Sequence, residues 1–273
     1  MTDQYCVIGN PIAHSKSPEI HPRYAAQTGQ DLVYERCLAP LDGFAATVQR
    51  LVAEGYRGAN VTLPFKLEAV GVCTRLEERA RAAGAVNTLV FADGEIVGDN
   101  TDGPGLVADI TRNAGVSIRD KRVLLLGAGG AARGALLPLI QERPREIVIA
   151  NRTLPTAEAL ARDFGGYFGQ FGVPIAARGF AQVEGSFDIV INATSSSLAG
   201  EVPPIASSVF GPDAFALDMM YGNQPTVFMD FASRHGATVR DGLGMLVEQA
   251  AEAFAIWRGV RPDTADVLTI LRA

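Results

Sequence analysis

Two α/β domains are predicted, the first with a mixed, mostly parallel sheet and the second with a doubly wound parallel sheet, and with a ligand cleft between them. Three observations carry this. Short apolar runs alternate with amphipathic stretches through the first hundred residues and again after residue 120, the pattern of strands joined by helices. Midway, "VLLLGAGGAARG" (residues 123–134) runs from a continuous apolar segment through a glycine turn into a helix. Near the end, "LGMLVEQAAEAFAIWRG" reads as a long amphipathic helix remote in sequence from the first third. The 273 residues suffice for two ordinary domains, and 48% hydrophobic with 20% charged content suits a well-cored globular protein.

Each element follows from its local pattern. "YCVIG" is a strand that meets a turn at Gly9-Asn10-Pro11. "PEIHPRYAAQTG" is a helix stopped by Gly29, with Ser17 as its N-cap and Pro18 at the first helical position. "LVYERCLA" alternates with period two, and "LDGFAATVQRLVAEG" puts Phe44, Val48, Leu51 and Val52 on one helical face. "GANVTL" is a strand, "KLEAVGVCTRLEERARAAG" a helix interrupted near Gly71, and "AVNTLVF-ADG-EIVGDN" a hairpin. A second unit starts near Asp102 with the connecting helix "GPGLVADITRNAG". Then come the glycine-loop strand and helix, the strand "REIVIANRT", and the buried strands "FDIVINATS" and "AFALDMMY". The closing helix should bury the face shared by Met245 and Gln249.

The formal charge of −6 argues against nucleic acid or an anionic membrane as partner. No run of about 18 apolar residues is present to span a bilayer. The N-terminal "MTDQYCVIGNP" carries an acid and turns too early for a signal peptide. Three scattered cysteines (Cys6, Cys37, Cys73) read as thiols of a reducing cytoplasm, and three histidines without paired spacing argue against a metal site.

The glycine loop carries chemistry. Gly127, Gly129 and Gly130 allow a tight turn and close approach of backbone N–H groups to a pyrophosphate, and the following helix N-terminus adds about half a positive charge. Ala132 stands where the strict fingerprint has its third glycine, a substitution the motif tolerates. A Rossmann-type domain using NAD usually ends its next strand with an acid, which accepts from the ribose 2′-hydroxyl. Here that strand ends Ala150-Asn151-Arg152-Thr153. Arg152 can grip a 2′-phosphate with Asn151 and Thr153 as added donors, which favours NADP.

Other polar residues stand out on apolar elements: Thr62 at a strand end, Lys66 past a Pro-Phe turn, Asn87 in a strand, Asp102 at the domain junction and Gln249 on the closing helix. Before the first helix, Ser15 and Ser17 flank Lys16. If that segment is extended, both hydroxyls point the same way. Ser17 could then cap the helix and still donate to an anion.

The ordered pieces "GNPIAHSKSP", "NVTLPFK", "AGAVNTL", "DNTDG", "GAGGAARG", "NRT", "INATSSS", "LDMMYG" and "DGLGMLVEQAAEAF" resemble the shikimate dehydrogenase family from Tyr5 to about Asp263. The resemblance implies a substrate domain of residues 1–101 plus 241–273 and an NADP domain of residues 102–240. It implies that Ser15 and Ser17 hold the substrate carboxylate, while Thr62, Asn87, Asp102, Tyr221 and Gln249 bind ring hydroxyls or complete the pocket. Lys66 would be the catalytic acid/base, with Asp102 beside it. Gly127, Ala128, Gly129, Gly130 and Ala131 would cradle the pyrophosphate, and Asn151, Arg152 and Thr153 the adenosine phosphate. Met219 and Gly242 would approach the nicotinamide, with Thr194, Ser195 and Ser196 along the cofactor. The implied reaction is reversible hydride transfer between NADPH and 3-dehydroshikimate, giving shikimate, in a cytoplasmic monomer or homodimer. Lysine, with a free pKa of about 10.4, is ready to protonate the nascent alkoxide at neutral pH.

Two positions depart from the family. Thr156 replaces a second basic residue, so one phosphate cation is missing, with Arg133 the nearest candidate to compensate, and Ser197 stands where glycine is expected. The rivals are an NAD-using quinate/shikimate dehydrogenase and a non-catalytic NADP-binding regulatory protein. Arg152 without an acid, and Ser17 where quinate-preferring relatives often have threonine, argue against the first. The Lys66/Asp102 pair argues against the second.

Overall fold

The computed structural model describes residues 2–272. They form two compact units: one runs to Gly105 and resumes at Val247, and the other is Leu106–Leu246.

The first unit contains β1 (Asp3–Gly9), α1 (Ser17–Thr28), β2 (Leu32–Leu38), α2 (Phe44–Ala53), β3 (Gly58–Val61), β4 (Arg75–Leu76), α3 (Glu78–Ala83), β5 (Thr88–Ala92) and β6 (Glu95–Asp99), before α4 (Asp102–Ala108) leads onward. Its sheet order is β2-β1-β3-β5-β6-β4. The β1–β2, β1–β3 and β4–β6 pairs are parallel, and the β3–β5 and β5–β6 pairs antiparallel. The α1 helix stops at Gly29, whose left-handed backbone lets its N–H reach Ala25 O. Phe44, Val48 and Leu51 of α2 are buried against Cys6, Ile8 and Phe65.

The second unit contains β7 (Arg122–Leu126), α5 (Gly130–Gln141), β8 (Glu146–Asn151), α6 (Leu154–Asp163), α7 (Gly165–Phe171), β9 (Ile175–Gly179), β10 (Phe187–Asn192), β11 (Phe210–Asp218), α8 (Val227–Arg234) and β12 (Thr238–Arg240). All its strands are parallel, in the order β12-β11-β10-β7-β8-β9. The order reverses direction at β7, which puts the topological switch point of a Rossmann-type sheet at the glycine loop. Val123 to Leu126 are fully buried, as central parallel strands covered on both faces must be.

The chain returns to the first unit within α9 (Leu243–Arg258) and ends in α10 (Ala265–Arg272). Apolar burial explains the return: Val247, Ala250, Ala251, Ala253 and Phe254 are fully buried. Polar contacts fix its position. Tyr24 OH donates to Val247 O (2.9 Å), and Trp257 Nε1 to Leu89 O (3.0 Å). Arg79 joins Asp99 to Glu252.

Several local expectations need correction. Residues 66–84 are not one interrupted helix. They form a 3₁₀ turn at Glu68–Val72, the two-residue strand β4 and the short α3. The β-branched Val70, Val72 and Thr74 around Gly71 favour extended chain, and Thr74 is held by Ile96 O from β6. Ser17 is not the cap of α1 but its first residue; the cap position is Lys16, in a helical conformation. The Ser15–Ser17 segment is therefore a turn rather than extended. Asn87 and Thr62 lie just outside β5 and β3. Gln249 is buried, but Met245 is only half-buried. The units divide within α4 and α9, a few residues past the 101/102 and 240/241 boundaries read from the sequence.

Candidate active site

In the first unit, Lys66 lies in a turn beyond β3, its ammonium 2.6 Å from Asp102 Oδ2 at the start of α4. The pair is partly open, with side-chain exposures of 30% and 17%, so the ammonium can meet a ligand while the carboxylate stays largely shielded. Asn87 joins them: its Nδ2 donates to Asp102 Oδ1 (2.8 Å) and lies 3.3 Å from Gln249 Oε1. Two elements, α4 and α9, thus converge on one carboxamide. Thr62 lies just past β3, half-buried, its N–H bonded to Ile8 O.

The two serines sit at the opening of α1. Ser15 Oγ accepts from the Ser17 N–H (3.3 Å), and Arg36 Nη2 anchors the loop at Ser15 O (2.6 Å). The Ser17 hydroxyl lies against the buried Tyr34 phenol, which donates to Asn60 Oδ1 (2.7 Å). The hydroxyls are therefore gathered by a turn and a side-chain-to-backbone bond. The start of α1 adds its positive partial charge for an anion.

The second unit holds the glycine loop. Gly127 requires its residue type: its φ is +105°, and a Cβ would crowd Ala193 O at 3.1 Å. A Cβ on Gly129 or Gly130 would project into open space, and Ala131 is exposed beside them. The first N–H groups of α5 thus face a clear cradle at a 12-residue helix, which fits a dinucleotide pyrophosphate. Ala128 is half-buried within the loop. At the end of β8, Asn151 Nδ2 donates to Thr153 O (3.0 Å), and Arg152 is exposed. Arg133, by contrast, is engaged with Asp163 at 2.5 Å.

The strand ends after β10 and β11 carry the remaining residues. Thr194 Oγ1 donates to Asn192 Oδ1 (2.7 Å) and meets Ser196 Oγ at the same distance; Ser195 is exposed between them. Met219 N donates to Asn192 O (3.0 Å). Gly242 tolerates no other residue, because a Cβ would run into the Met219 carbonyl. Tyr221 is 40% exposed in the loop beyond β11 and belongs to this second unit, whereas Gln249 belongs to the first. Burial of the ring raises the Tyr221 pKa. Ser197 donates to the buried Asp218 Oδ2 (2.6 Å), which also accepts from Thr226 Oγ1 (2.7 Å). A glycine there would leave Asp218 one donor short.

Family models match in chain order: a shikimate dehydrogenase substrate binding domain at residues 7–89, a shikimate/quinate 5-dehydrogenase at 109–199 and a shikimate 5′-dehydrogenase C-terminal domain at 242–272. The shikimate dehydrogenase (NADP(+)) of Herminiimonas arsenicoxydans is 64% identical over 100% of this chain and 98% of its own. This chain belongs to the shikimate dehydrogenase family. A solved structure of an Ael1 enzyme from Pseudomonas putida has TM-score 0.94 and 48% identity, covering 100% of this chain and 99% of that one. The shikimate 5-dehydrogenase of Thermus thermophilus, solved with NADP(H) and shikimate, has TM-score 0.84 and 29% identity over 99% of each chain.

Sequence reasoning missed the polar shell of this shikimate dehydrogenase: Tyr34, Asn60, Thr88 and Thr101 in the first unit, Asn192 and Asp218 in the second. All six are buried. For Asn60, Thr88, Asn192 and Asp218 the one available signal was polarity inside otherwise apolar strands.

Proposed function

We propose that this shikimate dehydrogenase catalyses the reversible, NADPH-dependent reduction of 3-dehydroshikimate to shikimate, in the shikimate pathway of aromatic amino-acid biosynthesis. The first unit takes the substrate and the second the cofactor, which supplies the hydride. Ser15 and Ser17 hold the substrate carboxylate. Thr62, Asn87 and Gln249 bind ring hydroxyls, and Tyr221 completes the pocket. Lys66 Nζ hands a proton to the ketone oxygen as that oxygen gains charge, and takes it back in the oxidation of shikimate. Asp102 keeps the Lys66 ammonium in place, and Asn87 steadies Asp102. In the second unit the Gly127–Ala131 loop takes the pyrophosphate, and Asn151, Arg152 and Thr153 the 2′-phosphate. Thr194, Ser195, Met219 and Gly242 line the nicotinamide side. The observation that supports this reading most is the Lys66–Asp102–Asn87 constellation, an acid/base group with a carboxylate that a mere cofactor sensor does not need. We place the protein in the cytoplasm as a monomer or homodimer; its free Cys6, Cys37 and Cys73 suit a reducing compartment.

A second reading, dual use of NAD, is favoured by one observation. Thr156 supplies no second cation, and Arg133 is engaged with Asp163. Initial rates with shikimate or quinate, each with NADP⁺ and NAD⁺, decide between the two. Turnover confined to shikimate and NADP⁺, with a KM for NADP⁺ raised at least tenfold by Arg152→Ala, is expected from a charge-assisted phosphate contact. Equal rates with NAD⁺ would give the dual reading the lead, and no turnover with any pair would sink both.

A further inference from the structure

Behind the Lys66–Asp102 pair lies a buried polar chain whose hydrogen-bond directions can be worked out from groups that have only one role. A carbonyl oxygen only accepts, so Asn60 must point its Nδ2 toward Asn87 O (3.2 Å). The same Nδ2 lies 3.2 Å from Thr88 Oγ1, which makes Thr88 the acceptor there. A hydroxyl has a single proton. Thr88 therefore has it free for Asn87 Oδ1, which at 2.9 Å is nearer than the competing Thr101 Oγ1 at 3.3 Å. The Thr101 N–H, which can only donate, reaches the same Oδ1 at 2.8 Å. With two donors on its oxygen, the Asn87 carboxamide can present only its NH₂ to Asp102. A flipped amide would set oxygen against carboxylate.

We infer that Thr88 is a positioning residue: its hydroxyl orients the Asn87 carboxamide, which orients Asp102 and through it Lys66. Thr88 is fully buried, so its influence on the site passes through Asn87. The threonine type suits both duties, since its methyl fits a β-strand and its hydroxyl supplies the donor. This inference rests on the catalytic reading of Lys66, Asp102 and Asn87 given above.

The test is a double-mutant cycle on the full-length enzyme, with kcat/KM for shikimate oxidation by NADP⁺ as readout. Thr88→Val removes the hydroxyl at nearly constant volume, and one hydrogen bond at its usual net worth corresponds to a loss of about fivefold. Thr88→Ser should restore most of that loss. In an Asn87→Ala background, Thr88→Val should cost nothing more, because no carboxamide remains to orient. A general packing defect would instead persist in that background and would not be rescued by serine, and either result overturns the inference. Wild-type kcat/KM in Thr88→Val overturns it as well. If Asn87→Ala alone leaves kcat/KM unchanged, the role of Asn87 in the proposed reaction fails, and this inference falls with it. An NADP⁺ dissociation constant unchanged by Thr88→Val is the expected control, since the proposed cofactor residues lie in the other unit.

Discussion

Lys66 was legible in the sequence as a polar residue beyond an apolar strand, and the family motifs implied Asp102 beside it. Lys66 and Asp102 are 36 positions apart, and only the fold closes them to 2.6 Å. Replacing Lys66 by Ala should lower kcat by about 10² or more while KM for shikimate moves a few-fold, as expected for a general acid. Steady-state kinetics check it; a collapse of affinity with surviving turnover would make Lys66 a binding residue. The cysteines show how much the neighbourhood of one side chain decides. The Cys6 thiol, hydrogen-bonded from the neighbouring strand, brings the Cys37 pKa down to about 7, and Arg50, whose Nη2 lies 3.7 Å from the sulfur, assists. Burial pushes Cys73 up to about 11. Cys37 should therefore be alkylated first by iodoacetamide, with a midpoint near 7 rather than the usual value of about 8.5. The fast phase should vanish in Cys37→Ser; if it survives there, the assignment is wrong.

The α1 helix shows what pattern alone misses at the scale of an element. Its extent and its glycine stop were readable, yet its buried face carries a histidine. His21 stacks on Tyr34, with ring centroids 4.1 Å apart and planes 10° off parallel, and Asn60 lies alongside. Burial lowers the His21 pKa from 6.5 to about 3, so the ring is neutral in the folded protein. Below pH 6.5 the unfolded chain takes up a proton that the folded one refuses, so this stabilisation is lost as pH falls from 6.5 toward 3. At about 1.4 kcal/mol per pKa unit the full effect is a few kcal/mol. His21→Phe should keep the stacking and flatten the dependence of urea stability on pH between about 6.5 and about 4, measured against wild type. An unchanged slope would show that other groups govern acid unfolding. Segment 66–84 was misread for the opposite reason. Its charged and alanine-rich second half does hold the short helix α3, but the two-residue strand before it at the sheet edge is set by its partner β6, not by local preference.

For the molecule as a whole, the division of labour between units can be read by hydrogen exchange. Shikimate should slow exchange at residues 15–17, 60–66 and 86–102 and in α9 after Val247, and NADP⁺ at the β7–α5 loop and the end of β8. Amides that exchange by local opening slow most where the ligand sits, because its contacts must break before those amides open. Protection spread evenly over both units by either ligand alone would contradict the assignment. Much of this architecture was written in the chain. Strand and helix periodicity, the glycine loop, the arginine where NAD enzymes keep an acid, and the family motifs are local patterns, and local patterns need no partner to be recognised. What the tertiary structure alone decided was the atom-by-atom pairing: the 2.6 Å contact of Lys66 Nζ with Asp102 Oδ2, the orientation of Asn87 by Thr88 and Thr101, the anchoring of Ser197 on Asp218, and the Trp257 Nε1 bond to Leu89 O that helps to hold α9, a helix the family motifs had already assigned to the first unit. Most of these join residues distant in sequence, and even the neighbours Asn87 and Thr88 are paired by their surroundings, where burial makes a hydrogen bond obligatory without the sequence naming its partner.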